Sequence, residues 1–356
     1  MSSHPGIHQA YDFIKVLGHG QFGTVREAKP RIAGNCPSVA IKSINKAKLG
    51  GDAYLLKREL EILRMVDHPH VVKFYDSYED SKYLHLVMEL CAGGDVLERL
   101  LKHGALSEAH VADILRSLLL AVTHLHELDI VHRDLKPENF LYENESETAA
   151  IKIIDFGMSN RLDRTQLHSM VGTPYYLAPE MLSGCYGKQC DVWALGVVMY
   201  LFLSGRQPFS GNSVMEVFNR IKEADFDFES QKWAGISSEA KDLIRVMLRS
   251  NPHHRITAKA ALTHPWFQAQ SNTEVPTTVL HALKHYRAPR KLQKEAMRIV
   301  VKYLSAEAIA DLKSAFMDLD HEKTGFITAT DLQLAMSRGG YDLATEEINS
   351  ISKQKL

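Results

Sequence analysis

The chain has 356 residues, of which 45% are apolar and 24% charged, and its formal net charge is −1. That is enough for two or more domains with cores, and the balanced charge indicates no nucleic-acid surface. No apolar run approaches the roughly 18 residues of a membrane span, and the start at Met1 reads neither as a signal peptide nor as a myristoylation sequence. Four scattered cysteines, without Cys-x-x-Cys spacing, indicate reduced thiols in a cytoplasmic protein.

The first patterned segment, residues 17–25, reads Leu-Gly-His-Gly-Gln-Phe-Gly-Thr-Val. The spacing of Gly18, Gly20 and Gly23 suits a tight turn between strands whose backbone closely approaches phosphate oxygens. A dinucleotide-binding loop is the rival interpretation, but it requires a helix directly after the glycines and an acidic residue about 20 positions later. Here a strand pattern continues after the glycines and a second strand follows at 39–42, so the context excludes the rival.

Lys42 lies on that second strand, where its ammonium can reach nucleotide phosphates if an acidic partner holds it. Residues 53–66 have helical spacing, and Glu59 and Glu61 on this helix are the two candidates. They lie roughly 200° apart around the helix axis. The apolar stripe should face the protein and carry Glu59 inward, which favours Glu59. The stripe consists of Leu56, Leu60, Leu63 and Val66.

Two motifs in the middle of the chain carry the chemistry. Residues 132–139 read His-Arg-Asp-Leu-Lys-Pro-Glu-Asn, and Asp-Phe-Gly follows at 155–157. At this spacing Asp134 can orient a substrate hydroxyl, while Asn139 and Asp155 can hold magnesium over the phosphates of a nucleotide. Two such motifs at the expected distance disfavour the alternative, a buried histidine with scattered solvated acids.

With these motifs the chain resembles a eukaryotic protein kinase over residues 11–268. The resemblance implies an α+β, bilobal fold that follows an N-terminal tail at residues 1–10. The β-rich N-lobe is expected at 11–91 and the helical C-lobe at 92–268.

The same resemblance implies ATP as phosphoryl donor and Mg²⁺ as its metal ion. It makes Asp134 the catalytic base, Lys136 a neighbouring phosphate-neutralising residue, and Asn139 and Asp155 the magnesium ligands. It also implies that Lys42, held in place by Glu59, binds the phosphates. No catalytic position departs from the family pattern, so a pseudokinase is not expected.

The resemblance also implies structural roles for three residues. Glu180, in Ala-Pro-Glu at 178–180, is expected to pair with Arg255. Asp191, at the start of a large buried helix, is expected to hold the backbone of the catalytic loop in place rather than to act in catalysis.

Adenine is expected between the lobes, beside the strand and hinge at residues 86–91. The resemblance places Met88 at the gate of a back pocket, and it has Glu89 and Cys91 offer hinge backbone groups to the base. Apolar residues are expected to enclose the base, although core packing is compatible with the same residues. They are Val25, Ala40 and Leu141, and Leu17 with the three loop glycines completes the nucleotide-binding set.

The sequence between Asp134 and Asn139 resembles that of serine/threonine kinases. Three acids match positions that contact arginine ahead of the phosphoacceptor in basophilic relatives, since a guanidinium–carboxylate pair supplies both charge and geometry. Solvated surface acids are the alternative interpretation. The three are Asp95, Glu98 and Glu138.

The activation loop offers two candidate phosphosites. Arg133, next to the catalytic aspartate, is expected to take an anion from this loop. Ser169, three residues before Gly172, occupies a position that is phosphorylated in many kinases, and Thr165 is the alternative. Unmodified loop hydroxyls are also common.

A linker and a basic amphipathic junction helix are predicted at residues 269–304. Such a helix docks in a partner's groove or lies on an anionic surface. Behind a kinase domain that favours basic substrates, a third role is more specific: the basic cluster competes for the substrate acids, and the apolar face offers a binding surface to a calcium sensor. A helix simply packed on the C-lobe is the plain alternative.

Residues 320–331 fit a 12-residue EF-hand loop, with glycine at position 6 for its sharp turn. Position 3 holds a glutamate, and position 12 an aspartate in place of the bidentate glutamate. Affinity for Ca²⁺ is therefore expected to be low or shifted toward Mg²⁺. The candidate calcium ligands are Asp320, Glu322, Thr324, Phe326 and Asp331.

Kinase, junction and EF-hand in this order resemble the calcium-dependent protein kinases of plants and apicomplexan parasites. That family normally has four EF-hands, whereas residues 305–356 hold one and the start of a second. We therefore expect this chain to be a fragment of a longer protein. The resemblance implies a serine/threonine kinase regulated by calcium, and a calmodulin-regulated kinase and a kinase-shaped scaffold are the alternatives.

Overall fold

The computed structural model describes most of the chain up to residue 268 and a few residues beyond it. The described residues are 6–19, 23–31, 36–49, 53–103, 107–162, 167, 174–211, 213–268, 279 and 282–284. Within these ranges no helix has both the length and the apolar character that crossing a membrane requires.

Five antiparallel strands and a long helix build the first lobe. The strand order is β1-β2-β3-β5-β4, so β3 and β5 lie inside the sheet, and their apolar and β-branched residues are mostly buried. Helix α2 (Ala53–Met65) contributes Ile62 and Leu63 to the core, and a single turn, α1 (Ile7–Ala10), precedes the sheet. The strands are β1 (Tyr11–His19), β2 (Gly23–Pro30), β3 (Val39–Asn45), β4 (Phe74–Glu79) and β5 (Tyr83–Glu89).

Helices build the second lobe around one central element, α6 (Gln189–Ser204). Every residue of this helix from Cys190 to Ser204 is buried, as expected for a helix that is apolar on all sides. Four of the surrounding helices begin at a serine or threonine whose hydroxyl accepts the N–H three residues later, which satisfies a backbone donor otherwise left free. The surrounding helices are α3 (Val96–His103), α4 (Glu108–Glu127), α5 (Pro179–Leu182), α7 (Val214–Glu223), α8 (Ser238–Met247) and α9 (Ala258–Ala261).

Two small two-stranded antiparallel sheets flank the central sequence motifs. Strands β6 (Ile130–Val131) and β9 (Asn160–Arg161) form one pair, and β7 (Phe140–Tyr142) and β8 (Ile151–Ile153) form the other. Residues 132–139 run from β6 to β7, and Asp155 follows β8. These two strand pairs therefore bring the two central sequence motifs to one place.

The last described residues pack against the C-terminal end of α6. Val279 and Leu283 are fully buried. Gly205, the C-cap of α6, has φ of 69°, and a Cβ placed on it would lie 2.7 Å from Cβ of Ala282 and 2.8 Å from the carbonyl oxygen of Val279. A glycine here satisfies the left-handed cap and also leaves room for the returning chain.

The α+β bilobal architecture predicted from the sequence is confirmed. The domain boundaries at 10, 91, 268 and 304 stay predictions. Apart from 279 and 282–284, the predicted linker and junction helix and the whole predicted EF-hand region lie outside the described residues.

Candidate active site

Strand β3 places Lys42 in the middle of a charged cluster. Lys42 is paired with Val25 of β2 and Leu86 of β5, so its position in the sheet is fixed from both sides. Its Nζ lies 2.7 Å from Oε1 of Glu59 and 2.8 Å from Oδ1 of Asp155. The sheet, helix α2 and the segment after β8 thus each contribute one charge.

Helix α2 settles the choice between the two candidate glutamates. Glu59 is buried, with 6% of its surface exposed, whereas Glu61 is exposed. The predicted pairing of Lys42 with Glu59 is therefore confirmed.

Mutual attraction favours the charged forms of Lys42 and Asp155. Burial alone would lower the pKa of Lys42, but the carboxylates of Asp155 and Glu59 outweigh burial and raise it above its ordinary value. The Lys42 ammonium, helped by the N–H of Gly157, holds the pKa of Asp155 well below its usual range. At neutral pH, Lys42 is therefore a cation and Asp155 an anion.

Asp191, near the start of α6, fixes the backbone of the catalytic loop. Its Oδ2 accepts the N–H of His132 at 2.9 Å and its Oδ1 accepts the N–H of Arg133 at 2.8 Å. His126 contacts Oδ2 through Nε2 at 2.9 Å. Burial would raise the pKa of Asp191, but the hydrogen bond with His126 and the nearby histidines lower it. The anion thus holds Arg133 in the left-handed region, at φ of 71°.

The loop presents its three polar side chains together. Nζ of Lys136 lies 2.5 Å from Oδ2 of Asp134, and the Asn139 amide donates to the Asp134 carbonyl oxygen at 2.8 Å. Asp134 and Asn139 are buried at 6% and 5% exposure, and the loop closes with a 3₁₀ turn at Pro137–Asn139. These contacts orient the Asp134 carboxylate and the Asn139 amide.

The oxygen atoms of Asn139 and Asp155 fit a magnesium ion. Because Nδ2 of Asn139 faces the Asp134 carbonyl, the amide oxygen is the side-chain atom left for a ligand. The Asp155 side chain is 49% exposed despite its ion pair with Lys42. Magnesium binds few protein oxygens together with water and phosphate oxygens, which suits one amide and one half-exposed carboxylate.

Most of the predicted adenine-binding residues lie on strands of the five-stranded sheet. Ala40 of β3 is paired with Met88 of β5, and Val25 of β2 is paired with Gly18 of β1. Leu141 lies on β7, in the hairpin below the sheet. Leu17 is 44% exposed, as expected for an apolar side chain that lacks a partner on the protein itself.

The hinge has a defined hydrogen-bonding pattern. The N–H of Glu89 donates to the carbonyl oxygen of Lys73, so it is not available to a base. The N–H groups of Ala92 and Gly93 donate to the carbonyls of residues 143 and 142. Burial, with a contribution from the Glu89 carboxylate, raises the pKa of Cys91 to about 12, and the thiol is neutral at physiological pH.

The predicted substrate acids Asp95 and Glu98 lie at the start of α3 and make contacts within the chain. Oδ1 of Asp95 accepts the N–H of Glu98 at 2.8 Å, and thereby stabilises the start of α3. Glu98 is exposed and pairs with Lys102 at 2.9 Å, one helical turn later. Exposed pairs of this kind are weak. The Glu98 carboxylate therefore remains open to a stronger cationic ligand, while Asp95 also has a structural role.

Two arginines anchor the segment after the activation loop. Arg255 binds Glu180 through two nitrogens, at 2.6 and 2.9 Å, and both side chains are buried. The predicted pairing of these residues is thus present. Arg133 donates to the Tyr186 hydroxyl at 3.0 Å and to the Met158 carbonyl at 2.5 Å.

Several predicted site residues lie outside the described part of the chain. They are Gly20 of the glycine loop, the candidate phosphosites Ser169 and Thr165, and the candidate calcium ligands Asp320, Glu322, Thr324, Phe326 and Asp331.

One pair beside the hinge was not predicted from the sequence. Lys152 on β8 lies 2.9 Å from Oε1 of Glu89, and both side chains are nearly buried. The signal was a lysine within the otherwise apolar run Ile-Lys-Ile-Ile at 151–154. A charge in such a strand needs a buried partner.

Comparison with known proteins identifies the family of the chain. Residues 11–267 match the family described as Protein kinase domain. The chain is 40% identical to calcium-dependent protein kinase 25 of Arabidopsis thaliana, over 97% of this chain and 67% of the relative. It is 39% identical to calcium-dependent protein kinase 24 of Oryza sativa subsp. japonica, over 97% of this chain and 68% of the relative. The chain therefore spans about two thirds of the length of these relatives. It belongs to the protein kinase family, as a serine/threonine kinase related to the calcium-dependent protein kinases.

Proposed function

We propose that this chain transfers the γ-phosphate of ATP to serine or threonine hydroxyls of basic protein substrates, under the control of calcium. The observation that carries the catalytic part is the joint placement of Lys42, Glu59 and Asp155, whose side chains meet at the Lys42 ammonium. It is supported by a catalytic loop whose backbone is fixed by Asp191.

Asp134 acts on the incoming hydroxyl in this proposal. Its carboxylate orients the hydroxyl and accepts its proton as the oxygen attacks the γ-phosphorus. Lys136, at 2.5 Å, offsets the negative charge that gathers between Asp134 and the phosphoryl group. Because the transferring group needs little covalent help, this positioning and charge neutralisation make up most of the catalysis.

Lys42 binds the α- and β-phosphates, and Glu59 holds its ammonium in place. Asn139 and Asp155 would hold Mg²⁺, which neutralises phosphate charge when bound. Asp155 contacts Lys42 directly, so this ion pair fixes the phosphate-binding ammonium and the metal-binding carboxylate relative to each other.

The preference for basic substrates rests on Glu98 and its neighbours Asp95 and Glu138. The weak pair between Glu98 and Lys102 can be exchanged for a guanidinium of the substrate, since a bidentate arginine contact is stronger than an exposed lysine contact.

Calcium control is supported by two observations. The matched relatives are named calcium-dependent protein kinases, and residues 320–331 fit an EF-hand loop. We propose that the junction at 269–304 conveys the state of this loop to the kinase lobes. We also propose that Ser169, or alternatively Thr165, is phosphorylated.

The test is phosphate transfer from Mg-ATP to three peptides: a serine peptide with an upstream arginine, the same peptide without it, and a tyrosine counterpart. We expect transfer to be best on the first peptide. Asp134→Asn should reduce kcat by about 10²–10⁴-fold, the usual contribution of a positioned base. Lys46→Ala, which removes an exposed ion pair with Glu79, is the matched control. Full activity of Asp134→Asn would overturn the assignment of the base.

The same assay with Ca²⁺ and with a chelator tests regulation. Higher activity in Ca²⁺ than in chelator is the expected result, and Asp331→Ala should reduce the difference. Equal activity in both would contradict calcium control by this chain. Intact-mass and peptide mapping of the active protein would show whether Ser169 or Thr165 carries phosphate.

A further inference from the structure

A nearly buried ion pair lies directly beside the hinge. Nζ of Lys152, in the middle of β8, is 2.9 Å from Oε1 of Glu89, the last residue of β5. The two side chains are only 10% and 11% exposed. Removing two charges from water is costly, so such a pair is retained where its geometry serves a purpose or where it is well hydrogen-bonded.

The carboxylate of Glu89 is held by a second contact. Its Oε2 accepts the N–H of Lys73 at 3.0 Å, and the Glu89 N–H donates back to the Lys73 carbonyl oxygen at 2.8 Å. Backbone and side chain of Glu89 are therefore both bound to the same residue. Together with the Lys152 ammonium, these contacts fix the orientation of Glu89 as β5 turns into the hinge.

The residues around Lys73 are themselves bound to the strand of Lys152. The N–H of Val72 donates to the Ile153 carbonyl at 3.0 Å, and the N–H of Ile153 donates to the His70 carbonyl at 2.9 Å. Strand β8, the segment leading into β4 and the end of β5 thus form one hydrogen-bonded unit. Lys152 joins the outer members of this unit by a direct contact.

Lys152 also lies beside the proposed adenine site. It is the cross-strand partner of Leu141, the residue proposed to pack against the base. Directly opposed residues of an antiparallel pair project from the same face of the sheet. The Lys152 side chain therefore runs from the adenine side of the hairpin to the hinge carboxylate.

We propose that Lys152 is a positioning residue for adenine recognition. Its ammonium holds the Glu89 carboxylate, and this contact sets the direction in which the Glu89 carbonyl faces the base. The inference rests on the proposed nucleotide site at the hinge. Lys152 touches neither the phosphates nor the hydroxyl, so its loss should weaken binding of the base and leave the chemical step intact.

The experiment measures KM for ATP, kcat, and the Kd for adenosine by calorimetry. Adenosine has no phosphates, so its affinity reports on the base-binding site without Lys42. Lys152→Met should raise both KM for ATP and Kd for adenosine by about tenfold, with kcat within about twofold, the pattern expected when the ground state and the transition state lose the same binding energy. Lys152→Arg keeps the charge and should recover most of the affinity. Lys188→Met, which removes the pair with Asp129 away from the hinge, is the matched control.

A second variant is needed because Lys152→Met leaves the Glu89 carboxylate without its cation, and this alone could destabilise the fold. The double variant Lys152→Met/Glu89→Gln leaves neither charge unpaired, and it should also bind adenosine about tenfold more weakly. Wild-type adenosine affinity in either variant would overturn the inference. A parallel loss of kcat and melting temperature that Lys152→Arg fails to recover would also overturn it, because the role would then be structural only.

The same measurements separate this inference from the proposed function. If the wild type transfers phosphate and binds adenosine while the Lys152 variants match it, only the role of Lys152 is wrong. If the wild type neither binds adenosine nor transfers phosphate, the proposed function fails and the inference fails with it.

Discussion

Single carboxylates decide the geometry of this site. Asp191 accepts two adjacent backbone N–H groups and thereby holds Arg133 at a positive φ that a non-glycine residue rarely adopts. Asp155 has φ of 63° and is bound by Lys42. Both residues show how charge–dipole and charge–charge contacts maintain a conformation that the backbone alone disfavours.

Replacing Asp191 by asparagine tests that role. The amide has one acceptor oxygen, and its NH₂ group would face one of the two N–H donors, so one buried donor is left unsatisfied. We expect Asp191→Asn to lower the free energy of unfolding by about 1–3 kcal/mol and to lower kcat as the loop relaxes. Denaturant unfolding and peptide phosphorylation measure the two effects. Asp129→Asn, an exposed aspartate that also has positive φ, should change neither, and equal effects of both variants would refute the assignment.

Glu59 and Glu61 offer a matched pair on one helix. Glu59→Gln removes the charge that holds Lys42, and the ammonium should then shift toward Asp155. Misplacement of a phosphate-binding group by about 1 Å can cost about 10²-fold, so we expect a loss of this order in kcat/KM for ATP. Glu61→Gln is the control, because its side chain is exposed. Similar kinetics for both variants would exclude Glu59 as the partner that matters.

At the scale of elements, the glycine loop is constrained by its own sheet. A Cβ on Gly23 would lie 2.0 Å from the carbonyl oxygen of Ser43, because β2 and β3 are paired at Gly23 and Ile44. Among the residues that the structure describes, none lies within 4 Å of a Cβ placed on Gly18. The two glycines thus share one sequence pattern but have different physical requirements.

This difference predicts unequal effects on stability. Gly23→Ala must push β2 and β3 apart, and we expect overpacking to cost about 1–3 kcal/mol. Gly18→Ala should leave the melting temperature almost unchanged. Thermal unfolding without nucleotide measures both, so that phosphate contacts play no part. A melting temperature of Gly23→Ala equal to that of the wild type would contradict the close strand contact.

At the scale of the whole molecule, the features that could be predicted from the sequence are those that depend on sequence motifs and on hydrophobic periodicity. The bilobal architecture and the pairs Lys42–Glu59 and Glu180–Arg255 follow from spacing and family resemblance. The pair of Lys152 with Glu89 did not, because its partners lie far apart in the chain and neither belongs to a motif. The close approach of Gly23 to Ser43 was not predicted either, because it depends on the register between β2 and β3. The proposed phosphate-binding role also already explained a glycine at this position.

A histidine cluster at the junction of the lobes makes stability depend on pH. His68 stacks on His124 at 5.1 Å and lies 5.6 Å from His70, with Lys152 nearby. Its Nδ1 accepts the His70 N–H at 3.1 Å, a contact that protonation of Nδ1 would remove. Burial, with the neighbouring positive groups, lowers the pKa of His68 to about 4.

The direction in which stability changes with pH follows from proton binding in the folded and unfolded states. Between the unfolded pKa of about 6.5 and the folded pKa of about 4, the unfolded state binds the proton and the folded state does not, so stability falls as pH falls. We expect His68→Gln to lose less melting temperature than the wild type between pH 7 and pH 5. His253→Gln, on the exposed surface, is the control. Parallel pH profiles for wild type and His68→Gln would contradict this role.

Helix α6 links two parts of the molecule that are remote from each other. Near its first residues Asp191 secures the catalytic loop, and at its last the Gly205 cap receives Val279 and Ala282 of the returning chain. Its 16 residues span roughly 24 Å. Val279 and Ala282 and the backbone of the catalytic loop therefore contact opposite ends of the same buried helix. The structure thus connects these two regions through the core of the second lobe, along a route that does not cross the cleft between the lobes.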